Sequence, residues 1–130
     1  MVWTEKTPNF GDVIRTKVRF YYHYGIFVSE EEVIQFGLPD DPARSAEQIR
    51  VLRSDIYTFL QGGDLQVLVR SRKMRSPEEI VSAARQRLGE GGYNILHNNC
   101  EHFVNECAFG QPSSWLLDEV RKKFAEKLGK

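Results

Sequence analysis

Apolar and polar residues alternate through much of the first half of the chain and recur every three to four positions through the second. Residues 13–20 read as a strand, opened by the turn formers Asn9, Gly11 and Asp12. Residues 21–28 (YYHYGIFV) are rich in aromatic and β-branched side chains, which suit a pleated, half-buried surface. Residues 30–32 make a polar turn and VIQF at 33–36 returns, so these segments predict an antiparallel hairpin. The prolines and aspartates of 37–43 predict a loop. Residues 49–52 predict another strand. Ser54 reads as the cap of a short helical turn running to Leu60 and stopped by Gly62-Gly63, and 64–70 alternates as a strand.

The second half carries helix signals. In Ser76-Pro77-Glu78-Glu79, serine is placed to cap, proline to occupy the first helical position, and Glu79 to close a capping box. Ile80, Ala83, Ala84 and Leu88 form the apolar stripe, and Gly91-Gly92 predict its end. Asn98-Asn99 cap a second helix over 100–109, ended by Gly110 and Pro112. Leu116 or Leu117, Val120, Phe124 and Leu128 mark a last amphipathic helix, about 114–128. Strands first, then helices, predict an α+β domain: an antiparallel sheet flanked by helices, with residues 1–130 as one domain.

Composition changes this picture little, and charge narrows the function. The 130 residues are 41% apolar and 28% charged, which is globular and excludes wholesale disorder. Eighteen basic and eighteen acidic residues cancel, which argues against a nucleic-acid partner held by a basic surface. No apolar run approaches the roughly 18 residues of a membrane span. The opening MVWTEKTPNF lacks the layout of a secretory signal, so a cytoplasmic location is expected. Arg70, Arg72, Lys73 and Arg75, and Arg121, Lys122, Lys123 and Lys127, form basic clusters that suit a peripheral contact with anionic head groups.

Cys100 is the most informative residue. In the first turn of a helix it faces unpaired backbone N–H groups and the positive end of the helix dipole, so its pKa is expected to fall below the free value of about 8.5. Cys107, seven residues on, lies about 10 Å away on the same helix, beyond the roughly 7 Å limit for a disulfide. Two free thiols fit a reducing compartment. A thiolate nucleophile needs a base. His102 is about 200° around the helix from Cys100, so it reads as a packing or capping residue. His97 precedes the helix. His23 lies on the strand at 21–28, a rigid platform for a Cys–His pair, and Gln35 on the returning strand is placed to orient its ring. His97, Cys100, His102 and Cys107 form a dense cluster, but their spacing matches no zinc-knuckle pair, and no metal or other cofactor is expected.

The stretch Asn98-Asn99-Cys100-Glu101-His102-Phe103-Val104 resembles the NCEHF signature of the LRAT-like family (lecithin:retinol acyltransferase and its H-Ras-like suppressor relatives), distant kin of the NlpC/P60 peptidases. Gly11-Asp12-Val13-Ile14, His23-Tyr24-Gly25-Ile26-Phe27-Val28, Val33-Ile34-Gln35-Phe36 and Tyr93-Asn94-Ile95-Leu96 resemble further family segments in order and spacing, over roughly 9–115. The resemblance implies a circularly permuted papain-like fold with histidine before cysteine. It implies Cys100 as nucleophile, His23 as general base and Gln35 at the third site position, where relatives commonly carry histidine. A neutral glutamine can orient an imidazole but cannot stabilise its cation by charge. Tyr22, Tyr24 and Asn99 are candidates for lining the substrate cleft. The chemistry implied is transfer or hydrolysis of an acyl group through a thioester, on a lipid ester such as phosphatidylcholine. The alternatives are an NlpC/P60-like amidase or cysteine peptidase, and a non-catalytic interaction module that keeps the fold.

Overall fold

The alternating segments pair as strands, and long-range pairing sets where each begins and ends. The computed structural model describes residues 1–38, 45–94 and 98–110. Its strands are β1 (Trp3–Thr4), β2 (Val13–Val18), β3 (Tyr21–Ser29), β4 (Glu32–Phe36), β5 (Val51–Ser54) and β6 (Leu65–Leu68). Its helices are α1 (Ile56–Leu60), α2 (Pro77–Gln86) and α3 (Cys100–Phe109). The strands form one antiparallel sheet in the order β1-β6-β2-β3-β4-β5, so β3 lies inside it. The fold class is α+β, as expected. His97, the predicted helix at 114–128 and the second basic cluster lie outside the described residues.

Several boundaries differ from the sequence reading, each for a specific reason. β2 stops at Val18, because Arg19 turns into the left-handed region (φ 54°) and Phe20 completes a tight turn into β3. β5 starts at Val51 rather than 49, after a single 3-10 turn at Ala46–Gln48. Ser54 does not cap α1: it ends β5, and Asp55 caps instead, its carboxylate accepting from the Thr58 N–H at 2.7 Å. α2 ends at Gln86, before the expected glycines, because Gly89 and Glu90 turn back to exchange backbone hydrogen bonds with Val51. The two-residue β1 had no signal of its own. It exists by pairing Trp3 with Leu68 and Thr4 with Val67.

The two helix starts were legible. Ser76 Oγ accepts from the Glu79 N–H, while the Glu79 carboxylate accepts from the Ser76 N–H. Asn99 and His102 make the equivalent reciprocal pair at α3.

The sheet separates two apolar layers. On one face Val13, Tyr24, Ile26, Ile34, Phe36 and Leu68 pack under Ile80, Ala84, Phe103 and Val104 of α2 and α3. On the other, Ile14, Phe27, Val33 and Val67 pack against Ile56 and Phe59 of α1. Fully burying a side chain of this kind contributes roughly 1.5–3 kcal/mol, so both layers hold the sheet. Gly25 belongs to the α1 face: a Cβ there would lie 2.7 Å from the Phe59 ring.

Candidate active site

Cys100 is the first residue of α3, and the cap in front of it fixes where its sulfur points. Asn99 Oδ1 accepts from the Glu101 N–H at 2.9 Å and the His102 N–H at 3.0 Å. His102 Nδ1 accepts in turn from the Asn99 N–H at 3.2 Å, which gives this buried histidine the capping role its position on the helix suggested. The Glu101 N–H is shared between that cap and the Cys100 thiol, and the amides of Cys100 and of Tyr24 on β3 also face the sulfur.

That arrangement corrects one expectation. Cys100 is 8% exposed, and burial pushes its thiol up, to about 11, instead of down. The Tyr24 amide works against burial, the Glu101 charge adds to it, and the Cys100 and Glu101 amides oppose it. A buried sulfur loses more hydration as an anion than three amide dipoles return. At neutral pH the resting group is therefore a thiol.

His23 and Gln35 meet as the sequence suggested. The His23 Nε2 lies 2.7 Å from Gln35 Oε1, both side chains buried. The register places Gln35 opposite Gly25, two residues along from His23, so the contact is a same-face diagonal. Gln35 Nε2 donates to Ser54 Oγ at 2.6 Å, and Ser54 Oγ donates to the Asp55 carbonyl at 2.9 Å. The Phe59 ring packs on the imidazole with centroids 5.3 Å apart. Burial pulls His23 down to about 4, against the hydrogen bond to Gln35, so the ring is neutral at pH 7.

Strand alternation has a consequence for how these groups meet. His23, with Gly25 and Phe27, looks to the α1 face, whereas Tyr24 and Ile26 look to the face that α3 covers. The structure brings His23 and Gln35 together and brings Cys100 to the amide of Tyr24, one peptide bond from His23. Among the described residues no hydrogen bond joins the ring to the sulfur, and His23 Nδ1 bonds to nothing. β4 ends at Phe36, so β3 runs on past it at His23, which has no strand partner on that side among the described residues.

The other predicted residues surround this point. Tyr24 is buried beside Cys100, and its ring lies 5.9 Å from Trp3 and 6.5 Å from Tyr22. The Arg15 guanidinium is held between Trp3 and Tyr22, 4.0 and 3.8 Å from their ring centres, and its Nε donates to Gln66 at 2.7 Å. Asn99 uses its oxygen for the cap. Sequence reasoning missed Arg15, Ser54 and Phe59, since each reaches the site by cross-strand or cross-layer contact. The signal that exists is parity: positions 23, 25, 33 and 35 share one face. A groove of about 490 Å³ between α2 and α3 is lined by Glu79, Gln86, Arg87, Glu106 and Cys107, and holds none of these residues. No helix among the described residues is long and apolar enough to cross a membrane.

The family model for lecithin retinol acyltransferase matches residues 6–113. The chain is 31% identical to rat lecithin retinol acyltransferase over 128 positions, covering 80% of this chain and 55% of that protein. Against the bovine protein of the same name it is also 31% identical, covering 91% of this chain and 60% of the relative. Human phospholipase A and acyltransferase 3 is 28% identical over 127 positions, covering 88% of this chain and 76% of that protein. The chain thus spans little more than half the length of the retinol acyltransferases it matches. A capped cysteine opening α3, a histidine strand inside the sheet, and a family match that runs through both place this protein in the lecithin retinol acyltransferase (LRAT) family.

Proposed function

We propose that this protein is a thiol acyltransferase or hydrolase acting on lipid acyl esters through a Cys100 thioester. In this reading the domain, residues 1–130, has the circularly permuted papain-like arrangement of its NlpC/P60 kin, histidine before cysteine. The observation that carries it is the Cys100 sulfur, buried at the start of α3 under backbone N–H groups from two elements. The printed names of the relatives, a lecithin retinol acyltransferase and a phospholipase A and acyltransferase, supply the substrate class.

The resting charges dictate the mechanism. A neutral thiol and a neutral imidazole cannot start as an ion pair, so the proton moves as the bond forms. The Cys100 sulfur attacks the ester carbonyl and its proton passes to His23 Nδ1, the nitrogen that Gln35 leaves bare. Substrate brings ring and sulfur together around the stretch of β3 that extends past β4, since catalytic hydrogen bonds commonly tighten only in the substrate complex. The carbonyl electron pair becomes an oxyanion that the Cys100 N–H meets. Collapse expels the alcohol, which takes the proton back from His23 and leaves a thioester. Water or an acyl acceptor then resolves it, with His23 again taking the proton. Tyr22, Tyr24 and Asn99 line the approach.

Intact-protein mass after mixing with a short-chain phosphatidylcholine tests this. We expect one acyl adduct, absent in Cys100→Ala and formed at least 100-fold more slowly in His23→Ala. An adduct that survives Cys100→Ala, or no adduct with phospholipid or any other ester, overturns the reading. An adduct formed with amides alone assigns the chemistry to the peptidase branch.

A further inference from the structure

Glutamine differs from histidine at an orienting position in one respect: its side chain has an accepting end and a donating end, and a half-turn exchanges them. With Oε1 toward His23, the ring must donate, so Nε2 carries the proton and Nδ1 is bare. With the nitrogen toward His23, the ring must accept at Nε2, the proton sits on Nδ1, and that nitrogen can take no proton from a thiol. The glutamine thus decides whether the ring serves as a base, and something must decide the glutamine.

The hydrogen bonds around Gln35 do so. Its Nε2 lies 2.6 Å from Ser54 Oγ, and the Ser54 hydroxyl proton is committed to the Asp55 carbonyl at 2.9 Å. Ser54 can therefore only accept from Gln35. Turning the amide over would face Oε1 to an oxygen whose proton is engaged elsewhere, and would break that carbonyl bond or leave a buried acceptor unpaired. Thr16, the direct cross-strand neighbour of His23, keeps its buried hydroxyl unpaired and does not compete for the ring.

We propose that Ser54 is a positioning residue: by accepting from Gln35 it fixes the amide, and through the amide it holds His23 in the Nε2–H tautomer with Nδ1 free as the base. The catalytic half of this inference rests on the acyl-transfer reading above. The tautomer half does not, and the experiment keeps them apart. Nitrogen-15 NMR of the His23 ring in the resting protein reads the tautomer directly. The wild type is expected to show Nε2–H alone, Ser54→Ala a mixture containing Nδ1–H, and Ser54→Thr the wild-type pattern. An Nδ1–H ring in the wild type, or a Ser54→Ala ring identical to it, overturns the proposal whether or not the enzyme turns over. In phosphatidylcholine kinetics, Ser54→Ala should lower kcat about fivefold with KM unchanged, the size expected for one net hydrogen bond, and Ser54→Thr should restore it. Equal losses in both variants, or a change confined to KM, would mark Ser54 as merely structural. If no acyl adduct forms at all, the mechanism falls and the ring spectra still decide the tautomer.

Discussion

Cys100 and Cys107 lie on one helix, both buried, both with thiols pushed up by burial, to about 11 and about 12. What separates them is the company each keeps. Around Cys100 the groups that favour the anion are three backbone amides, fixed by the start of α3 and by β3. Around Cys107 they are the Arg87 and Arg75 charges, set against Glu106 and Glu90. Burial alone makes a cysteine inert. Directed amides make one of the two a place where charge can develop during a reaction and be met without reorganisation.

The largest expected effect breaks the pair apart outright. Cys100→Ala should abolish the acyl adduct, while Cys107→Ala should leave its rate within about twofold; a dead Cys107→Ala that still folds would contradict the assignment. Alkaline stability comes next. Both thiols have folded pKa values above their unfolded ones, so each contributes stability below about pH 8.5 that is lost as pH rises toward about 11 for Cys100 and about 12 for Cys107. Each contributes on the order of 3 kcal/mol over that window, and denaturant melts should show a shallower loss in either alanine variant than in wild type. His23 carries the opposite sign. Its folded value of about 4 lies below the unfolded 6.5, so stability is full above 6.5 and falls by about 3 kcal/mol as pH drops to 4. His23→Ala should flatten that acid limb.

Smaller effects sharpen the contrast along the helix. Asn99→Ala should cost roughly 1–2 kcal/mol and slow iodoacetamide labelling of Cys100 severalfold, leaving Cys107 untouched, and Asn99→Ser should recover most of both. Glu106→Gln, which removes a half-exposed bridge to Arg87, should cost no more than about 0.5 kcal/mol in a thermal melt.

What the sequence made legible was local. The caps of α2 and α3 could be read because the residues that satisfy each helix end lie within three positions of one another. His23 and Gln35 could be paired because a short turn joins their strands. Ser54 was misread as a cap because serine suits that role, while its partner Gln35 lies nineteen residues away. The short β1 and the packing of Phe59 on His23 depend on which strands become neighbours, and no window of sequence contains that. The rise in the Cys100 pKa was missed for the same reason: the helix start is written locally, and the depth at which it is buried is not.

The Tyr24 amide that faces the sulfur belongs to a strand, and a strand amide goes where its ladder goes. The Cys100 sulfur is thereby indexed to the pleat. A slip of β3 by one residue would exchange the layers seen by His23 and Tyr24, and the protein would keep its helices while the proposed chemistry fell silent.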